Sequence, residues 1–246
     1  MNIDFYVYTN TGDRTVNEDA AGVIKKDNSY CFYVADGLGG HKNGAIASQC
    51  VRGYMELSYQ RGYHTQPDFL EKAFEGMQRV INLMQEEKEA YRKMKTTAAI
   101  LTIKDGKASW GHIGDSRVYY FKNKSFVERS FDHSVPQMLA FTGEISEEEI
   151  AHHPDRSKLF RALGMDFEGD YGHEIDHKEV ELNSGDVFLL CSDGFWEWMD
   201  FEVVKEKILQ GLTSEEVLES TAFDIFKCRK LSDELDNLSA VMIRIM

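Results

Sequence analysis

The chain has 246 residues, 42% hydrophobic and 12% aromatic, which suits one large or two small ordered domains and argues against a disordered protein. Acidic residues outnumber basic ones 42 to 28, and the formal charge of −14 repels nucleic-acid phosphates and anionic lipid alike. No apolar leader-like stretch opens the chain and no apolar run approaches the roughly 20 residues needed to span a bilayer, so nucleic acid and membrane are excluded as partners and a cytoplasmic protein is expected.

Strand-like segments come first, at Ile3–Thr9, Ala20–Ile24 and Tyr30–Ala35, each short and rich in β-branched or aromatic residues. Two helical stretches follow, at Gly44–Tyr59 and Pro67–Met94. The second carries helical apolar spacing from Phe69, Leu70, Ala73 and Phe74 through Met77, Val80, Ile81 and Met84, with Pro67 near its start. Strands resume at Thr97–Lys104 and Ala108–Ile113, joined by Asp105-Gly106, the chemistry of a tight hairpin turn. A second pair, Arg117–Lys122 and Ser125–Arg129, meets around Asn123. A helical region spans Ser134 to His152, with Ser146 and Glu149 spaced as a capping box for its second helix. Strands at Glu174–Glu181 and Val187–Cys191 precede helices at Phe201–Leu209 and Ser214–Phe226, the latter with Thr213 and Glu216 in capping-box spacing. An apolar strand, Leu238–Ile245, closes the pattern. Hairpin strands alternating with pairs of helices argue for an α+β fold, with two antiparallel sheets and helices outside, rather than parallel βαβ units. Three prolines, no repeat and no low-complexity tract point to a single domain over 1–246.

Cys31, Cys50, Cys191 and Cys228 lack paired short spacing, so neither a zinc ribbon nor a redox CxxC motif can be drawn. Cys31 and Cys191 sit in apolar runs, as reduced buried thiols do. The informative residues are carboxylates. Asn17-Glu18-Asp19, Ala35-Asp36-Gly37, Ser192-Asp193-Gly194 and Asp236-Asn237 each set an aspartate where a strand should stop. Turn chemistry alone accounts for any one of them. Four together, two of them after runs as apolar as CFYVA and VFLLCS, suggest carboxylates held rigidly over a core. Like charges about 4 Å apart repel by roughly 4 kcal/mol at an effective dielectric near 20, and several such pairs rival the roughly 5–15 kcal/mol stability of a domain. Such side chains either stay apart or share a cation, and oxygen donors without cysteine select hard ions such as Mg2+ or Mn2+. The stretch from Asp36 to Gly44 fits neither a dinucleotide loop, which needs glycine at Lys42, nor a P-loop, which needs GK[ST]. Its glycines would let backbone approach a metal, with the Gly37 carbonyl as a candidate ligand.

These motifs, read in order, resemble those of the metal-dependent protein phosphatases, the type 2C family. The residues concerned are Arg14-x-x-Asn17-Glu18-Asp19-Ala20, Val34-Ala35-Asp36-Gly37-Leu38-Gly39-Gly40-His41, Gly114-Asp115-Ser116-Arg117, Ser192-Asp193-Gly194 and Asp236-Asn237. Asp132-His133-Ser134, Thr142-Gly143-Glu144, His153-Pro154 and Arg161-Ala162-Leu163-Gly164 are similar to small bacterial members, and the match runs from about Asp13 to the C-terminus. The resemblance implies a four-layer α-β-β-α sandwich of two antiparallel sheets flanked by pairs of helices. It also implies a serine/threonine phosphatase in which a hydroxide bridging two divalent metal ions, Mn2+ or Mg2+, attacks phosphorus in line. Asp19, Asp36, Asp193 and Asp236 would be the ligands of the two ions, with Asp36 bridging, the Gly37 carbonyl contributing and Glu18 acting through water. Asp115 would hold a weaker third ion with Asp193, and Arg14 would bind the substrate phosphate. Residues 134–172 would form a flap beside the site that helps select substrates. Phosphorylated proteins would be the partners, opposing a serine/threonine kinase, and the protein would act as a monomer.

Some departures from the family pattern bear on mechanism. Leu38 stands where some members carry a histidine that protonates the leaving group. His41 is read as bracing its loop rather than as catalytic, which leaves a metal-bound water to supply that proton. Lys95 replaces a glycine before Thr96-Thr97, whose hydroxyls are read as supporting the carboxylates. The histidines His152, His153, His173 and His177 suggest zinc, but a solvated flap accounts for them better. Trp196 and Trp198 are read as core. Two other functions fit less of the chain: an inactive phosphoprotein-binding regulatory module, which should have lost ligands, and a phosphatase of a small phosphorylated metabolite, for which no cap domain is visible.

Overall fold

The structure is a computed structural model that describes residues 1–39, 43–87, 89–91, 93–166, 176–230 and 234–246. Its strands are β1 (Ile3–Asn10), β2 (Ala20–Lys26), β3 (Ser29–Ala35), β4 (Gly37–Leu38), β5 (Lys95–Thr96), β6 (Ala98–Lys104), β7 (Lys107–Ile113), β8 (Arg117–Lys122), β9 (Ser125–Arg129), β10 (Asp176–Glu181), β11 (Val187–Cys191) and β12 (Leu238–Ile245). The helices are α1 (Asn43–Gln60), α2 (Phe69–Glu87), α3 (Val135–Thr142), α4 (Asp193–Trp196), α5 (Phe201–Gln210) and α6 (Ser214–Cys228). One antiparallel sheet runs β1-β12-β11-β8-β9 and the other β10-β7-β6-β3-β2, with β4 and β5 forming a separate two-residue ladder.

The central strands read as unbroken apolar runs because both of their faces are covered. In β3, Phe32 and Val34 face the other sheet while Cys31, Tyr33 and Ala35 pack under α1 and α2. In β11, Phe188 and Leu190 point between the sheets, and Val187, Leu189 and Cys191 meet the α5 and α6 side. Three buried clusters result, one between the sheets and one under each outer helix layer, which gives the α-β-β-α order. Two hairpins turn on residues with positive φ, Asp105-Gly106 (50° and 77°) and Asn123-Lys124 (47° and 65°), the conformation that two-residue turns with matching twist require.

The expected elements differ from those observed in four places. Helix α2 ends at Glu87 rather than Met94, because its apolar stripe gives out after Met84 where Gln85-Glu86-Glu87 follow. A 3-10 turn at Glu89–Tyr91 comes next, and Met94 is buried from the loop. The capping box of Ser146 and Glu149 forms, but it caps a 3-10 segment at Glu147–His152 rather than an α-helix. The β4–β5 ladder and the single turn α4 had no counterpart in the sequence reading. No helix among the described residues is long and apolar enough to cross a membrane.

Candidate active site

Strand register carries the aspartates to one end of the sandwich. Ala20 pairs with Ala35, Val34 with Ala99 and Ala98 with Ile113, so Asp19, Asp36, Thr97 and Gly114-Asp115 all leave the second sheet at the same edge. In the first sheet Cys191 pairs with both Arg117 and Ala240, and Asn10 with Leu238, which puts Asp193, Ser116, Asp236 and the Arg14 loop at the matching edge. Side chains tie the two edges together. Ser192 Oγ donates to Asp19 Oδ2 at 2.9 Å, Thr97 Oγ1 and Ser116 Oγ lie 2.6 Å apart, and the Glu18 N–H donates to Asn237 Oδ1 at 2.7 Å.

Asp36 is fixed through its backbone. Its N–H donates to Thr97 Oγ1 at 2.9 Å, and its carbonyl accepts from Thr96 Oγ1 at 2.8 Å and from Thr97 N at 2.9 Å. The next residue has no room for a side chain: a Cβ on Gly37 would lie 2.2 Å from the Gly44 carbonyl oxygen, and one on Gly44 would lie 2.4 Å from that of Gly37. That approach seats the Asp36-Gly37 turn on the start of α1. His41, named above as a loop brace, and His173 fall outside the described residues, as does the side chain of His177. His153 Nδ1 accepts from the Asp155 N–H at 3.1 Å, within its own turn.

The assembled carboxylates perturb one another. Burial, with the charges of Asp193 and Asp19 next, raises the Asp36 carboxyl well above the usual range, and the Asp36 and Asp193 carboxyls share a hydrogen bond. Asp19 is pushed up to about 8, chiefly by burial and then by Asp193. Burial also raises Asp115 and Asp193, and Glu197 rises to about 8 through burial and the Asp193 charge. Arg14 grips Asp236 in a fork, Nε to Oδ1 at 3.1 Å and Nη2 to Oδ2 at 3.0 Å, with both side chains 47% exposed. Its Nη1 lies 3.4 Å from Glu234.

Some residues that shape this edge were given no role in the site by the sequence. Arg117 is buried and forked onto Asp132 at 2.8 and 2.6 Å, and its guanidinium stacks 3.3 Å from the Trp196 ring. Trp196 Nε1 in turn donates to the Asp115 carbonyl at 2.9 Å, so this tryptophan, expected as core, is also a strut of the site. Asn237 holds the carbonyls of Thr11 and Val16 at 2.9 and 3.1 Å as well as Glu18. An asparagine or serine beside an aspartate was the available signal, but it names no partner.

The donors suit hard cations. Asp19 Oδ1 and Glu18 Oε1 are buried without a hydrogen-bond partner, an arrangement that costs free energy unless a further group meets them. Asp19, Asp36, Asp115 and Asp193 offer oxygen only. Among the described residues no three His, Cys, Asp or Glu side chains form a ready ion-binding group, with Asp236 turned to Arg14 and Asp36 to Asp193. The side chains thus carry the right chemistry and are held by one another.

Comparison with known proteins converges on one family. A family model described as protein phosphatase 2C matches residues 9–238. The serine/threonine phosphatase stp of Listeria monocytogenes serotype 4b is 33% identical over 235 residues, covering 92% of this chain and 89% of the relative. The crystal structure of serine/threonine phosphatase Stp1 from Staphylococcus aureus superposes with a TM-score of 0.86 at 24% identity, over 100% of this chain and 96% of that one. The catalytic domain of the serine threonine protein phosphatase PstP, in complex with 2 manganese ions, aligns with a TM-score of 0.79 at 24% identity, over 98% of this chain and 97% of that one.

Proposed function

This chain belongs to the protein phosphatase 2C family and is a phosphoprotein phosphatase, and from that premise we propose that it hydrolyses phosphoserine and phosphothreonine with the help of divalent metal ions held at the carboxylate edge. The observation that carries the reading is the convergence of Asp19, Asp36, Asp115 and Asp193, with orphaned buried oxygens on Asp19 and Glu18. Asp19, Asp36, Asp193 and Asp236 would hold two ions with the Gly37 carbonyl, Glu18 would act through water, and Asp115 with Asp193 would hold a third. The chemistry such ions supply when bound is a lowered pKa for water and neutralisation of charge on the phosphoryl group. The manganese complex of PstP supports Mn2+ as the first ion to try.

The chain's own residues supply the rest. Arg14 offers a planar pair of donors, which it now spends on Asp236 and which a phosphate would receive in the same fork. Ser192 orients Asp19, and Thr96 and Thr97 fix the backbone of Asp36, so hydrogen bonds at the strand ends set the positions of these two residues. Residues 134–172 are read as the flap. Of these, 134–166 are described; the Ser134–Leu159 bridge closes the segment on itself, and the Thr96–Leu163 bridge ties it to the body. A single domain, a cytoplasmic location, a monomeric state and a serine/threonine kinase as antagonist complete the proposal.

The test is release of phosphate from a phosphothreonine peptide in Mn2+, against the same reaction in chelator and against a sugar phosphate. Turnover of the peptide that needs Mn2+ supports the reading. Equal rates in Asp36→Asn or Asp193→Asn and the unaltered protein would sink the site assignment.

A further inference from the structure

Beside the carboxylate edge lies a cavity of about 700 Å3, bounded by β9, the 3-10 segment Glu147–His152 and the residues that follow α4. Strand β9 is the outer edge of its sheet, and Phe126, Val127 and, just beyond it, Phe131 expose apolar surface. The inner wall is Trp196 and Glu197, which close the helical turn opened by Asp193, so one turn of backbone, about 5.4 Å of rise, joins that residue to the cavity wall. The volume lies in the range of ligand-binding clefts, with room for one long side chain and the backbone that carries it.

Its charges are not balanced toward an anion. The guanidinium of Arg117 is committed to Asp132 and to Tyr119 Oη at 3.2 Å. That of Arg129 is committed to the Ser130 carbonyl, Gln137 and Glu147. Glu148 is exposed at the rim with no cation paired to it among the described ion pairs. Glu197, its side chain only 12% exposed, meets Arg156 from the solvent side at 3.1 Å. Aromatic walls from Phe126 and Phe201 suit a long aliphatic stem, as the methylene chains of lysine and arginine provide.

We propose that this cavity is a subsite for a lysine or arginine side chain of the phosphoprotein substrate, lying two or three residues from the phosphorylated residue. An extended segment of that length spans about 7–10 Å, enough to reach past the one turn of backbone between Asp193 and the cavity wall. This inference rests on the reading of the chain as a phosphoprotein phosphatase.

The experiment compares phosphothreonine peptides in Mn2+ that differ only in carrying Arg, Leu or Glu two or three residues to either side of the phosphothreonine. The expected kcat/KM for the Arg peptide exceeds that for the Glu peptide by about tenfold or more at one of those positions, with Leu between them. The ratio should fall toward one in Glu148→Lys and, independently, in Val127→Arg, and a general loss of activity cancels in that ratio. Equal kcat/KM for all three peptides, or a ratio that neither variant moves, overturns the subsite and leaves the phosphatase reading standing. Turnover of none of the peptides overturns both.

Discussion

The layer between the two sheets and the rim at its end are built by the same strands, and burial acts on them in opposite ways. Phe32, Leu101, Phe188 and Val241 are fully buried among apolar neighbours, where removal from water stabilises the fold. At the ends of neighbouring strands, Asp19 before β2 and Asp115 after β7 are also buried, yet beside like charges. There burial and mutual repulsion oppose the ionised state. The core is therefore optimised for stability, and the rim is held together at a cost that the core offsets. Strands stiff enough to bring carboxylates into contact are what a cation site needs.

This contrast can be broken most severely from the rim side. Asp193→Asn is expected to lower phosphatase kcat/KM by about three orders of magnitude, roughly 4 kcal/mol of transition-state stabilisation, while thermal stability in chelator stays level or rises. A fall in stability comparable to a core variant would show that Asp193 serves packing instead. The complementary change is Phe188→Ala, which should cost roughly 3–5 kcal/mol in denaturant unfolding through the cavity it leaves. Added metal gives the next largest effect. Mn2+ at about a hundredfold over its dissociation constant should stabilise the protein by about 2.7 kcal/mol, seen as a Tm rise that Phe188→Ala keeps and Asp193→Asn loses.

The pH dependence of the metal-free protein is smaller and has a definite sign. A carboxyl raised from 3.8 to about 8, as Asp19 is, keeps its proton in the native state where the unfolded chain has lost it. The native state then binds more protons than the unfolded one, so stability falls as pH rises through that window. In chelator, Tm should decline between about pH 5 and pH 8, and calorimetry showing a rise over that range would count against the buried cluster. The mildest change is Ser192→Ala, which removes the hydrogen bond its Oγ donates to Asp19 and the one it accepts from the Ser239 N–H, and should cost about 1–3 kcal/mol.

Much of the fold was legible where a periodic signal was long enough to carry it. Arg117–Lys122, Ser125–Arg129, Val187–Cys191 and Leu238–Ile245 fall at the expected limits, the first and third because their apolar runs end at Asn123 and Ser192. The Gly37–Leu38 and Lys95–Thr96 ladder was not legible, since two residues have no period and their pairing is set by a contact between distant segments. The same division runs through the site. Aspartates at strand ends could be read singly, whereas their mates are tertiary facts: Arg14 meets Asp236 across 222 positions, and Ser192 meets Asp19 across 173. Trp196 was read as packing because an aromatic in an apolar stretch says nothing of where its N–H points.

Strand β12 lies inside its sheet between β1 and β11, and Asp236-Asn237 lead directly into it. The first strand of the fold thus waits for the last one, across more than two hundred residues of intervening polypeptide. On the ribosome, an emerging chain holds Arg14, Asp19 and Asp36 long before it can align them, and their loop gains its Asn237 anchor only once residue 237 has cleared the exit tunnel. Synthesis itself postpones the appearance of a working hydrolase, and a protein cut short ahead of Leu238 forfeits architecture and reactivity in one stroke.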